Sequence, residues 1–210
     1  IRIVKTNYSS PESILNFFKL NKEQDGISPI STKGTSHINV FDDQGNACAI
    51  TTTLGEGSGY FIPGTDMQMN NMLGEIYLFP GGKHSWTPNS RMMSMMCPVL
   101  AFDDINRNLT FMAGSGGAGR IPYALAQVME QVFLLGRKLD DAIKAPRIMM
   151  HDQKFHLEPS YVIEEKLKSD HLVHWEGLNL FFGGVHAIYC DENRLEATGD
   201  LRRFGVGKIF

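Results

Sequence analysis

Hydrophobic and polar positions change rhythm several times along the chain, and each change predicts an element. Residues 37–41 and 47–54 are β-type runs on either side of Asp42-Asp43-Gln44-Gly45-Asn46. Residues 99–102 and 109–113 flank Asp103-Asp104-Ile105-Asn106-Arg107-Asn108, and residues 185–190 and 195–198 flank Asp191-Glu192-Asn193-Arg194. Each is a strand, a turn-forming cluster and a second strand, the mark of a hairpin and so of antiparallel pairing. Between the hairpins the period lengthens. Over 121–135, Ile121, Leu125, Val128, Met129, Val132 and Phe133 fall on one helical stripe. Gly136 predicts the end of that helix as a C′ glycine. A short helix is predicted over 139–145, stopped by Pro146, and another over 161–169. Hairpins interleaved with amphipathic helices predict an α+β layered domain, antiparallel sheets inside and helices outside.

The first 34 residues follow a different pattern. Residues 11–20 fit a short helix, with Ser9 or Ser10 as cap and Pro11 in the first turn. Residues 21–34 have no period, carry Gly, Ser, Thr and Lys, and predict an exposed, cleavable linker. The expected organisation is therefore a tail and linker over 1–34 and one domain over 35–210.

Composition narrows the function classes. Of the 210 residues 42% are hydrophobic and 20% charged, which supports a packed core and argues against disorder. Twenty basic against 23 acidic residues leave a net charge of −3, without the basic excess a general nucleic-acid binder needs. The longest mostly apolar stretch, 178–190, is shorter than the ~18 residues of a membrane helix and contains Asn179, Gly183, Gly184 and His186. No export signal is visible, but the chain opens on Ile1 rather than Met, so this leaves localisation open. Cys48, Cys97 and Cys190 are too few and too scattered for a disulfide framework or a Cys-x-x-Cys metal site. His151 and His156 stand five apart, the wrong spacing for a helical zinc pair. No metal is expected.

Three segments could carry chemistry. In Lys33-Gly34-Thr35-Ser36-His37 a hydroxyl residue opens a strand directly after the linker. Read functionally, Thr35 Oγ1 attacks the Gly34 carbonyl, the acyl group shifts from nitrogen to oxygen, and water completes a scission. Gly34 is expected to help by adopting a backbone conformation that a β-carbon would resist. The freed α-amine, with an ordinary pKa of roughly 7.7–8, can act as base for its own hydroxyl. The plain alternative is a loop-to-strand junction. Next, Gly114-Ser115-Gly116-Gly117-Ala118-Gly119-Arg120 matches G-x-G-x-x-G literally. It lacks the parallel βαβ setting and the acidic residue ≈ 20 positions on that dinucleotide binding requires, since position 134 is Leu. A nest of backbone N–H groups for an oxyanion, or a close strand–helix turn, are the remaining readings. Finally, Gly55-Glu56-Gly57-Ser58-Gly59 leads to Asn70-Asn71-Met72-Leu73-Gly74-Glu75, either a polar pocket for an amino-acid-like ligand or a long surface loop. The methionines at 92, 93, 95 and 96 around Ser94 read as core or pocket lining. Residues 200–203 read as charged and solvated.

In this order the features resemble the γ-glutamyltransferases (γ-glutamyltranspeptidases), members of the N-terminal-nucleophile hydrolases. The matching motifs are Gly-Thr-Ser-His (34–37), Asp-x-x-Gly-Asn-Ala (42–47), Thr-Thr-Thr-Leu (51–54), Gly-x-Gly (57–59), Asn-Asn (70–71), Arg-x-x-Ser-Met-x-x-Pro (91–98), Gly-Ser-Gly-Gly (114–117), Ala-Pro-Arg (145–147) and Gly-Asp-x-Arg-Arg (199–203). The resemblance implies the C-terminal part of a four-layer αββα fold and a precursor cut between Gly34 and Thr35. It implies Thr35 as the nucleophile toward γ-glutamyl amides such as glutathione. The acyl group then passes to water, an amino acid or a peptide, with no cofactor. Thr53 falls where the family's second threonine supports the nucleophile. Glu75 falls on the residue that holds the substrate α-amine, where typical members have Asp; Asn71 and Ser94 fall on further substrate contacts, Ser94 at the α-carboxylate. Gly117 and Ala118, with Gly116 beside them, fall on the oxyanion loop. The partner implied is the large subunit of the same precursor, and the compartment implied is periplasmic or extracellular, with the cytoplasm as the alternative. Typical members carry Asn at Gly55, Gln at Met72, a second Ser at Met95 and Gly at Ala118. These departures keep two rivals alive: the same fold and nucleophile acting on another acyl group, and a relative that never matures.

Overall fold

In a computed structural model, residues 2–4, 34–55, 57–75, 78–79, 81–82, 85–163 and 171–210 are described. The helix expected over 11–20, most of the 21–34 linker and residues 164–169 of the third expected helix lie outside them. Residues 161–163 carry no helix.

The three predicted hairpins form. β1 (Arg2–Val4) pairs antiparallel with β2 (Thr35–Phe41), and β2 pairs with β3 (Ala47–Thr53) in the register Thr35↔Thr53 to Phe41↔Ala47. Asp42 builds the tight turn, its Oδ1 accepting from the Gln44 and Asn46 N–H groups at 3.0 and 2.8 Å, with Gly45 at φ +84°. After a two-stranded ribbon, β4 (Phe61–Ile62) and β5 (Met67–Gln68), the chain enters β6 (Val99–Phe102) and β7 (Leu109–Gly116). With β11 (Gly184–Cys190) and β12 (Leu195–Thr198) these form a four-stranded antiparallel sheet, ordered β12-β11-β7-β6.

The β2–β3 sheet packs face to face on the β7–β11 pair. On the other face of that pair lie α1 (Ile121–Met129) and α2 (Leu139–Lys144). Ile121, Ala124, Leu125 and Val128 bury the predicted stripe against Phe111, Ala113, Val185 and Ala187. The described residues thus supply sheet, sheet and helix, three layers of the expected αββα arrangement. The helical stripe shifts near its end. Residues Glu130–Leu134 form a π-turn, with Leu135 N–H donating to Glu130 C=O at 3.1 Å. The extra residue per turn rotates the last positions, so Val132 is buried while Phe133 is 45% exposed. Gly136, at φ +63°, ends the helix as predicted.

A third sheet has no counterpart in the sequence reading. β8 (Ile148–His151) and β9 (Lys154–Leu157) form a hairpin, and β10 (Leu172–His174) adds in parallel to β9. Asp152 and Gln153, at φ +48° and +61°, make a two-residue loop of the kind that matches strand twist. Gln127 ties this sheet to α1, its amide accepting from Ile148 N–H at 3.0 Å and donating to Ile148 C=O at 2.9 Å.

The expectation that residues 200–203 are solvated is wrong for Asp200 and Arg202, which are 1% and 3% exposed. They belong to a buried ionic cluster. Arg147 Nη2 donates to Asp200 Oδ2 at 2.6 Å, Arg202 Nη1 to Asp200 Oδ1 at 3.2 Å, and Arg202 Nε to Glu158 Oε1 at 2.6 Å. Two cations and two anions share one enclosure, so the charges compensate. Burial pushes the Asp200 carboxyl up, but the Arg147 and Arg202 guanidiniums outweigh it and hold the group below the usual carboxylate value. Asp200 also accepts from Val185 N–H at 2.9 Å, which anchors the C-terminal segment to the start of β11.

Candidate active site

Register builds the centre of the site. Leu54 N–H donates to Gly34 C=O at 3.2 Å, so Gly34 and Leu54 occupy a hydrogen-bonded position of the ladder. The next pair, Thr35 and Thr53, is then a non-hydrogen-bonded pair, whose side chains stand closest. Thr35 Oγ1 donates to Thr53 Oγ1 at 2.9 Å, and the Gly55 N–H donates to Thr53 Oγ1 at 3.0 Å.

Two residues along, the same face carries His37 and Thr51. His37 is 1% exposed, with Nδ1 2.7 Å from Thr51 Oγ1 and Nε2 2.9 Å from Asn39 Oδ1. Asn39 donates through Nδ2 to the His186 carbonyl at 2.9 Å, which leaves its Oδ1 as acceptor. His37 therefore carries its proton on Nε2, and Thr51 donates to Nδ1. Burial lowers the His37 pKa, against a smaller rise from the Asn39 bond, so the ring is neutral near pH 7. A chain of hydrogen bonds thus crosses from one sheet to the other directly behind the threonine pair.

Glycines make room for it. A Cβ on Gly114 would lie 2.1 Å from His37 Nδ1, and one on Gly116 would lie 2.6 Å from the Thr35 carbonyl oxygen and 2.9 Å from Arg203 Nη1. Ser115, between them on the opposite face, accepts from Gly184 N–H at 3.1 Å and donates to Gly116 C=O at 2.8 Å. Gly117 then turns at φ +135°, its Cβ position 3.1 Å from the Gly183 Cα, and Ala118 sits at φ +51°. The glycine run is thus a strand end that lets two sheets approach, followed by a turn into α1. The dinucleotide reading has no parallel βαβ unit to stand on.

The second loop closes on the same place. Asn71 N–H donates to Leu54 C=O at 2.9 Å, which sets the 3₁₀ turn Met72–Gly74 beside Gly55. The Cβ position of Gly55, at φ +64°, is 3.3 Å from Met72 Sδ. Glu75, 4% exposed, follows the turn. The structure therefore joins Thr35, Thr53, Asn71 and Gly116 in one cluster, with Gly117 and Ala118 adjoining it. Ser94 is different: it lies on the exposed stretch 91–98, outside regular secondary structure, and its Oγ accepts from Met96 N–H at 3.1 Å.

One expectation fails. Gly34 is not held where a side chain is excluded: its φ is outside the left-handed region, and an added Cβ meets only the Gly55 carbonyl oxygen, at 4.0 Å. Residue 34 sits just before β2, bonded at its C=O by Leu54 N–H and at its N–H to Gly55 C=O, in a conformation that places no demand on glycine. Sequence reasoning also passed over His37, Asn39, Ser115 and His186. Their signal was present as polar residues on the inward positions of strands.

Among the described residues no group of three or more His, Cys, Asp or Glu could hold a metal, and no helix is long and apolar enough to cross a membrane. Cys48 and Cys97 are exposed free thiols.

Fold and site together define an N-terminal-nucleophile hydrolase architecture with a threonine at the head of its central strand. The family model for gamma-glutamyltranspeptidase matches residues 4–210, and the chain belongs to that family. It is 31% identical over 151 residues to a glutathione hydrolase proenzyme of Bacillus subtilis (strain 168), which covers 71% of this chain and 24% of the relative. It is 29% identical over 153 residues to the Acylase ACY 1 proenzyme of a Pseudomonas species (strain SE83), covering 70% of this chain and 27% of the relative. The chain thus spans about a quarter of the length of these relatives. The gamma-glutamyltranspeptidase of Pseudomonas nitroreducens superposes with a TM-score of 0.65 at 24% identity, over 82% of this chain and 97% of that one, a likeness of fold.

Proposed function

We propose that this chain is the C-terminal part of a self-processing γ-glutamyl acyltransferase and hydrolase. Residues 1–34 are the tail of a large subunit, and 35–210 are the catalytic small subunit. One observation carries the reading: the Thr35 hydroxyl is hydrogen-bonded to Thr53 at the head of β2, directly after the bond to be cut. Scission frees the Thr35 α-amine, which takes the hydroxyl proton as Oγ1 attacks the γ-glutamyl carbonyl. The tetrahedral oxyanion is received by backbone N–H groups at Gly117 and Ala118, beside Gly116. Collapse expels the amine of a glutathione-like substrate and leaves an ester on Thr35. Water, an amino acid or a peptide then takes the acyl group. Glu75 and Asn71 hold the α-amine of the donor, and Ser94, which lies apart on its exposed stretch, joins them at the α-carboxylate once the large subunit completes the pocket.

A second reading keeps the nucleophile and changes the acyl group. The Met72 thioether lies 3.3 Å from the Cβ position of Gly55, so neither residue brings a polar side chain to this place. The likeness to an acylase proenzyme points the same way.

The complete precursor tests both. Wild type is expected to yield a fragment starting at Thr35 and to release p-nitroaniline from γ-glutamyl-p-nitroanilide, and Thr35→Ala to stay one chain and turn over nothing. Cleavage with turnover only of another acyl amide selects the second reading. Identical maturation of wild type and Thr35→Ala refutes both.

A further inference from the structure

The carbonyl oxygen attacked in self-cleavage already has a donor. Leu54 N–H points at Gly34 C=O at 3.2 Å, and Gly34 N–H donates to Gly55 C=O at 3.0 Å, so residue 34 is held at both polar groups by the end of β3. Successive carbonyls of an extended strand point in opposite directions. The Thr35 carbonyl accordingly turns toward Gly116, whose Cβ position is 2.6 Å from it, while the Gly34 carbonyl turns away to Leu54.

We infer that the Leu54 backbone N–H is the oxyanion donor of self-cleavage, a catalytic group separate from the Gly116–Ala118 loop that serves acyl transfer. The inference rests on the function proposed above. In the step, Thr35 Oγ1 bonds to the Gly34 carbonyl carbon, and the carbonyl oxygen becomes an oxyanion held by Leu54 N–H. The hydroxyl proton travels through the Thr53 hydroxyl, which accepts its hydrogen bond, to the Thr35 nitrogen as the Gly34–Thr35 C–N bond breaks. The product is an ester with a free amine. Water then adds its hydroxyl to the Gly34 carbon and a proton to Oγ1, releasing a carboxyl terminus. Gly34 departs, and the Leu54 N–H and Gly55 C=O are open to solvent or ligand. The threonine thus uses one donor once, for its own scission, and another at every turnover.

The side chain of Leu54 has no part in this, so only a backbone change tests it. In the complete precursor, Leu54 is replaced by its α-hydroxy acid, which removes the N–H and keeps the side chain. A second precursor carries the same ester change at Gly57, which removes the neighbouring bond to Leu54 C=O and leaves the Gly34 partner intact. Formation of the Thr35-headed fragment is timed by mass spectrometry. The Leu54 ester is expected to slow it about a hundredfold, the loss usual for one oxyanion donor. The Gly57 ester is expected to stay within a few-fold of wild type. Wild-type speed in the Leu54 ester, or equal slowing in both esters, overturns the inference alone. A wild-type precursor that is never cut at Gly34–Thr35 overturns the proposed function and the inference together.

Discussion

At one end of the sandwich Phe41, Ala47 and Ala49 rest on Met112 and Ile188. At the other end of the same strands, Thr35 and His37 rest on Gly116 and Gly114. The first end is filled by apolar volume, and its strands are held apart by side chains. In the second, side chains are deleted from one sheet so that the other can bring polar groups inward and bond them. Volume can be repacked. A bonded ring lying on bare backbone cannot, because every direction of movement breaks a bond. The site is thus built where the sandwich gives up hydrophobic packing and replaces it with a fixed hydrogen-bonded chain.

The largest effect expected from this contrast is at Gly114. Gly114→Ala puts a methyl 2.1 Å from His37 Nδ1 and 2.2 Å from Cε1, so the whole ring must leave Thr51 and Asn39. Overpacking together with lost buried hydrogen bonds gives a destabilisation of about 4 kcal/mol, read from urea unfolding of the complete protein. A loss under about 1 kcal/mol would mean that the ring has slack the contrast denies.

An intermediate effect depends on pH. His186 is pushed down to about 4, chiefly by burial, with the nearby Asp200 charge working against it, and its Nδ1 accepts from Asp200 N–H at 3.2 Å. The unfolded ring, with its ordinary pKa near 6.5, binds more protons than the folded ring between pH 6.5 and about 4. Stability is therefore present in full above pH 6.5 and falls as pH drops through this window, by about 2–3 kcal/mol at pH 4.5. His186→Gln keeps a carbonyl oxygen for the Asp200 N–H and removes the titration. Urea midpoints at pH 7 and 4.5 should converge in this variant relative to wild type; an unchanged gap shows that other groups produce the acid sensitivity.

The smallest effect belongs to the apolar end. Met112→Leu conserves most of the volume and should cost less than about 1.5 kcal/mol. A melting curve that shifts as far as that of Gly114→Ala would remove the distinction between the ends.

Legibility in the sequence follows the same division. The three hairpins were readable because Asp and Asn turns punctuate alternating runs, and α1 because five of its inward residues keep a helical period. The π-turn was not readable, since Phe133 fits the stripe until one added residue per turn moves it out. The β8–β9 hairpin was missed because its loop, Asp152-Gln153, lacks the glycine that usually marks two positive φ angles. Thr35 and Thr53 were legible as motif positions, and the register explains why they meet. His37 and Asn39 were hidden by their own polarity, which suggests an outward face unless the glycines opposite are known to receive them. Asp200 and Arg202 misled for the same reason: charge predicts solvent, and only the fold reveals the compensating Arg147 and Glu158.

The central claim is that backbone scission turns residue 35 into a chain terminus. Edman sequencing of the small fragment from turnover-competent enzyme tests it most directly. The account predicts Thr-Ser-His-Ile-Asn as the first five residues. Full activity from a protein whose bond between residues 34 and 35 is intact would contradict it.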